Sequence, residues 1–219
     1  MRVALLALSL LLPCLAHAAL YECRDANGRR TFSDTPCSPD AKVLDVAPTA
    51  PGAPGASAGP GSLGTARIEY YDVSGATLDQ LRSQMSARGT DGWAGHTHTH
   101  VAYHFTTQPT GGGCRVDEVT VTLDAVVRLP RWTDRDAAPA GAQGEWDRLM
   151  TRLVDHEGGH VRIGQASADA VERAVRETTP GASCPDVAAR AKGRADAILA
   201  LLPQQQEDYD VRTNHGRGP

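Results

Sequence analysis

Residues 146–177 read WDRLMTRLVDHEGGHVRIGQASADAVERAVRE, and the fold turns on this stretch. Trp146, Leu149, Met150 and Leu153 recur at helical spacing and lead without a break into His156-Glu157-Gly158-Gly159-His160. The pattern predicts a helix that continues to about Glu177, where Pro180-Gly181 stops it. Side chains four apart on a helix lie about 40° apart around the axis, with Cβ atoms about 5–6 Å from each other. His156 and His160 can therefore grip one ion together, and since they extend the apolar stripe they face the interior or a cleft. Zinc accepts imidazole nitrogen at about 2.0–2.1 Å and, with three protein ligands, activates a bound water. Glu157 follows the first ligand and reaches the water rather than the metal, as a general base and then a general acid. Gly158 and Gly159 each cost about 1 kcal/mol in a helix interior relative to alanine, so metal binding or a close backbone approach has to offset them.

Upstream of this helix the pattern changes to strands. Ile68 and Tyr70 alternate, Thr77 caps a short helix with Leu78, Leu81 and Met85 on one side, and His96 to Phe105 alternates again. Cys114 opens another strand, with Val119, Val121, Leu123, Ala125 and Val127 on one face and Thr120, Thr122 and Asp124 on the other; Leu129-Pro130 is its turn signal. A last helix is expected from about Asp186 to Leu202, and the polar segment 203–219 is expected to be disordered. Strands followed by long helices predict an α+β domain over residues 65–202, with a small antiparallel sheet packed on the long HExxH helix.

The chain has 219 residues, room for one full domain and a small second one. Residues 1–18 read as a cleaved secretory signal: Arg2, an apolar stretch from Val3 to Leu15, then Ala16-His17-Ala18. Lipid attachment at Cys14 is disfavoured by Pro13. The apolar stretch is too short to span a bilayer, and no later segment approaches the required length. A periplasmic or secreted location is expected. Four cysteines then remain, Cys23, Cys37, Cys114 and Cys184, and four permit three pairings. Residues 48–64 form a Pro/Ala/Gly linker between the first two and the last two, which favours Cys23 with Cys37 and Cys114 with Cys184. The net charge of −4, with no basic run, excludes the electrostatic footprint of a nucleic-acid binder.

Residues 19–47 contain LYECRDANGRRTFSDTPCSPD, in which Asn27-Gly28 between two short runs signals a β-hairpin that a disulfide would staple. Through Tyr21, Cys23, Asp25, Gly28, Ser33, Asp34, Pro36 and Cys37 this segment resembles a small bacterial periplasmic domain family of unknown function. Residues from about Ile68 to Cys184 resemble a second bacterial family of unknown function, described as predicted secreted zinc-dependent proteases. That resemblance rests on Tyr70-Tyr71, Gly95, Thr97, Cys114, Leu129-Pro130 with Trp132, Trp146, the motif from His156 to His160, and Cys184. It implies a zincin-like peptidase, with His156, Glu157 and His160 as the residues that carry over.

A catalytic zinc has a third protein ligand, and the sequence does not name it. Gly164 falls one residue late for a metzincin pattern, and Asp169, Glu172 and Glu177 swing away from the metal along a straight helix. In GHTHTHVAYHF, residues 95–105, period two sets His96, His98, His100 and His104 on one face. The simplest reading is a solvated strand face on which His accumulates; His100 or His98 as third ligand or transition-state donor, and a separate metal site on this face, are the alternatives. The function expected is hydrolysis of peptide bonds in exported proteins or cell-wall peptides, with Zn2+ as cofactor and Glu157 as base. The alternative is a non-catalytic periplasmic zinc-containing scaffold.

Overall fold

The computed structural model describes residues 20–24, 30–33, 38, 42–44 and 63–217. The expected signal segment, the linker up to residue 62 and the Cys23–Cys37 pairing lie outside the described residues.

Near the amino terminus β1 (Leu20–Arg24) lies between β2 (Arg30–Ser33) and β3 (Lys42–Leu44), antiparallel to both. The segment therefore builds three strands, where a two-stranded hairpin was expected.

The main domain begins two residues before the expected boundary. Leu63, assigned above to the linker, is buried in the core, and Ala66 N–H donates to its carbonyl at 3.1 Å. The elements follow in the order β4 (Arg67–Val73), α1 (Leu78–Arg88), β5 (His96–Thr110), β6 (Gly113–Trp132), a 3-10 turn (Arg135–Ala137), α2 (Ala140–Arg176), α3 (Cys184–Leu199) and α4 (Leu202–Arg212). Thr77 caps α1 through a capping box with Gln80, which satisfies two end donors at once.

The architecture is α+β, and its sheet has the order β4-β6-β5. β5 and β6 are antiparallel, joined at Gly111-Gly112, but β4 runs parallel to β6, so the sheet is mixed, not antiparallel as expected. Leu129-Pro130 is no turn. β6 continues to Trp132 because Pro130 pairs only with Tyr71 of β4, whereas the β5 ladder begins further back, at the His96–Arg128 pair. A proline fits a strand where one neighbour is missing, since its absent N–H leaves no ladder bond broken.

One face of the sheet is packed and the other is wet. Val119, Ala125 and Val127 are buried while Thr120, Thr122 and Asp124 are exposed, as the alternation predicts. The inner face meets α1 and the first half of α2 in a core containing Val73, Leu81, Leu129, Trp132, Trp146 and Val154. A second core joins Val116 and Val119 of β6 to Val171 and Val175 of α2 and to Val187, Ala191 and Ala195 of α3. The Cys114–Cys184 disulfide ties the start of β6 to the first turn of α3. Since α3 packs on the far half of α2 while α4 reaches His156 and His160, the chain runs back along α2, antiparallel to it. Among the described residues no helix is long and apolar enough to cross a membrane.

Residues 203–219 depart most from expectation. In place of a disordered tail, α4 forms after two residues, Ala200 and Leu201, that keep right-handed helical dihedrals. Pro203 sits in the first turn of α4, where a missing N–H costs nothing. Leu202 anchors the helix in a small cluster with Val101 and Ala168.

Candidate metal centre

His156, Glu157 and His160 lie on the central turns of α2, all buried. α4 crosses above them. Its Asp210 places Oδ1 3.0 Å from His156 Nε2 and 3.0 Å from His160 Nε2, and the two nitrogens are 3.3 Å apart. Donors on a tetrahedral zinc with bonds of about 2.05 Å stand about 3.3 Å from one another. The spacing of these three atoms therefore fits one such ion.

The hydrogen-bond partners behind the donors make the fit specific. Gln206 donates its Nε2 to the His160 carbonyl and to Thr99 Oγ1, both at 3.2 Å, which fixes its amide with Oε1 facing His160 Nδ1 at 2.6 Å. An oxygen there requires the proton on Nδ1 and leaves Nε2 of a neutral ring with a bare lone pair. Thr213 does the same for His156. Its hydroxyl donates to the Tyr209 carbonyl at 2.7 Å, so its oxygen accepts from His156 Nδ1 at 3.2 Å. With both rings neutral, two imidazole lone pairs and a carboxylate oxygen converge with no hydrogen among them, an arrangement that repels unless a cation lies between. Partners that orient ligating imidazoles in this way are the usual outer shell of a zinc site.

Burial lowers the His156 pKa below its ordinary value, and His160 adds to the effect while Asp210 opposes it. The ring is therefore neutral, as a metal ligand must be. Burial pushes the Glu157 carboxyl up to about 7, against the pull of a Thr97 hydrogen bond and of His160 and with a further push from Asp210. Thr97 Oγ1 donates to Glu157 Oε2 at 2.7 Å, so β5 holds the carboxylate in place.

Two glycines make room for this arrangement. A Cβ at Gly159 would overlap the Tyr209 phenol, which stacks on the His156 ring at 5.2 Å. A Cβ at Gly95 would collide with Glu157 Oε1 and Leu153. The close approach expected at the motif glycines is thus realised at Gly159 by α4. The centre opens into a cleft of about 730 Å³, lined among others by Trp93, Leu149, Arg152, Leu153, Glu157 and His215.

His98 and His100 do not line the cleft. Both are exposed on β5, and among the described residues it is Asp210, not either of them, that stands with His156 and His160 in a group able to hold a metal ion. His104 is on the same exposed face, and only His96 reaches the rim of the cleft. Asp169 and Glu172 are bonded away from the centre, to Gln165 and Arg176. Sequence reasoning missed Asp210, Gln206, Tyr209 and Thr213, all on or just after α4. A signal was present: Leu202, Gln206, Tyr209, Asp210 and Thr213 recur at helical spacing and are the less exposed residues of this segment.

A family model described as "Bacterial protein of unknown function (DUF922)" matches residues 68–216. The chain belongs to this family. The DUF922 region runs past Leu202 and takes in α4 and the turn after it, so the segment that supplies Asp210 is part of the family's domain. A second model, described as "Domain of unknown function (DUF4124)", matches residues 7–60. No curated protein and no solved structure matches the chain.

Proposed function

We propose that the protein is an exported zinc-dependent peptidase with a zincin-like site, in which His156, His160 and Asp210 hold the cation and Glu157 is the general base. The observation that carries this reading is the convergence of His156 Nε2, His160 Nε2 and Asp210 Oδ1, with both Nδ1 protons committed elsewhere. Bound zinc supplies two things at such a centre: it makes a water acidic near neutral pH and it polarises a carbonyl. Three protein donors leave a position for that water, whereas a purely structural zinc site closes with four.

Glu157 does the proton work. Held by Thr97 at the cleft wall, its carboxylate takes a proton from the attacking water and hands it to the leaving amine. A pKa near 7 in the metal-free protein suits a group that must both accept and return a proton. The cleft has the volume of a site that encloses several side chains of a peptide, and its apolar wall of Trp93, Leu149 and Leu153 suits an extended chain. Export is supported by the amino-terminal signal pattern and by the Cys114–Cys184 disulfide, a bond that persists in oxidising compartments. Substrates would then be exported proteins or cell-wall peptides.

The test is a defined peptide library incubated with the zinc-loaded full chain, with chelator, and with Glu157→Gln. Chelator-sensitive cleavage that Glu157→Gln abolishes while retaining its zinc is the expected result. Undiminished cleavage by Glu157→Gln rules out the base. A zinc-loaded wild type that cleaves nothing returns the protein to the non-catalytic scaffold reading.

A further inference from the structure

Two imidazoles at the cleft have no part in the donor set, His96 at its rim and His215. His215 lies on the turn after α4, its ring stacked on the Trp93 indole at 4.2 Å with 19° between the planes. The Arg217 guanidinium lies 4.8 Å from the centre of the same indole. The backbone is constrained as well. Asn214, His215 and Gly216 are successively left-handed, with φ of 50°, 50° and 70°, and His215 N–H donates to the Asp210 carbonyl at 2.8 Å. Left-handed non-glycine residues are strained and persist where their surroundings over-determine them. Here they bring the turn against the metal centre: a Cβ at Gly216 would run into the His156 ring.

His215 Nδ1 stands 3.7 Å from Asp210 Oδ1, too far for a hydrogen bond. The ring is therefore beside the three donors without being bonded to them, and it shares the cleft with Glu157. Hydrolysis at a carbonyl needs a base for the water and a fixed donor for the oxygen that gains charge, and such a donor is most effective when its position is set beforehand. Of the other cationic and imidazole side chains that line the cleft outside the donor set, Arg82 is paired with Asp79, Arg217 covers Trp93, and Arg152 and His96 are exposed. His215 is clamped by Trp93 on its ring and by α4 on its backbone.

We propose that His215 is a catalytic residue, the hydrogen-bond donor to the carbonyl oxygen of the scissile peptide bond; this rests on the peptidase reading above. The water oxygen bonds to the carbonyl carbon, one water proton passes to Glu157, and the π pair moves onto the carbonyl oxygen. The His215 N–H stabilises that oxygen without surrendering its proton. The C–N bond then breaks as Glu157 returns the proton to nitrogen, leaving an acid and an amine, with His215 unchanged.

The zinc-loaded full chain is to be compared with His215→Phe, which keeps a ring for Trp93, and His215→Gln, which keeps an N–H donor. Calorimetric titration uses two probes, a peptide phosphonate whose tetrahedral anion imitates the charged oxygen, and the matching amide peptide on the Glu157→Gln background. Phosphonate affinity falls about a hundredfold in His215→Phe and recovers in part in His215→Gln, while zinc and amide-peptide affinities stay within about threefold. On a peptide the wild type cleaves, kcat of His215→Phe falls on the same scale with KM unchanged. Equal phosphonate binding and equal kcat in His215→Phe overturn the proposal. So does a parallel loss of zinc affinity, which makes His215 a fourth ligand. Where the wild type cleaves no peptide, the peptidase reading fails, yet the phosphonate titration still decides: selective loss supports the donor, and undiminished binding refutes it.

Discussion

At the scale of single residues, the centre depends on where two protons sit. Gln206 and Thr213 hold the Nδ1 protons of His160 and His156, and neither touches the ion position. Gln206→Leu and Thr213→Val each free a ring to rotate or change tautomer, and each is expected to weaken zinc affinity about ten- to a hundredfold in a chelator competition. Glu157 gives a signed pH effect. Its folded pKa is raised, so in the metal-free protein it binds protons more tightly folded than unfolded, and stability falls as pH rises from the unfolded value of 4.5 towards about 7. Glu157→Gln removes that loss. Denaturant midpoints of the metal-free proteins should show the variant gaining on the wild type by on the order of 2–3 kcal/mol between pH 4 and pH 8, and parallel curves would contradict the burial argument. Gly159→Ala adds a methyl group where the Tyr209 ring lies. It is expected to lower both stability and zinc affinity despite the better helix propensity of alanine, and adding Tyr209→Ala should restore part of the stability.

Between elements, the decisive contact is α4 on α2. Truncation after Leu202 removes Asp210, Gln206 and Thr213 together, while the core shared by the sheet, α1 and α2 is untouched. The truncated chain should keep its tertiary near-ultraviolet signal from Trp132 and Trp146 and lose tight zinc binding. The sequence made α2 legible because its stripe is apolar from Trp146 to Leu153 before the histidines begin, and the alternation in β6 was legible because one face is wet. α4 was not, since its inward stripe is Gln206, Tyr209, Asp210 and Thr213, which hydrophobic periodicity does not register. The same blindness hid Asp210. The histidines of β5 drew attention because they alternate, but alternation sets residues on one face without saying which face the helix covers, and α2 covers that of Thr97, Thr99 and Val101. The parallel pairing of β4 with β6 was illegible for another reason: local pattern reveals a strand, not its neighbour.

For the whole molecule, the second core, the Leu202 cluster and one covalent tie hold α3 and α4 back against α2. The Cys114–Cys184 disulfide closes a loop of sequence separation 70, for which chain entropy gives about 4 kcal/mol. Its reduction should lower the denaturant midpoint accordingly and loosen the end of the molecule opposite the metal donors. The account rests above all on Asp210 joining His156 and His160 around one cation. The most direct measurement is calorimetric titration of zinc into the metal-free full chain and into Asp210→Ala. One zinc per chain is predicted for the wild type, with affinity reduced by more than about a hundredfold in Asp210→Ala; equal affinity in the two proteins, or no zinc bound by the wild type, would contradict it.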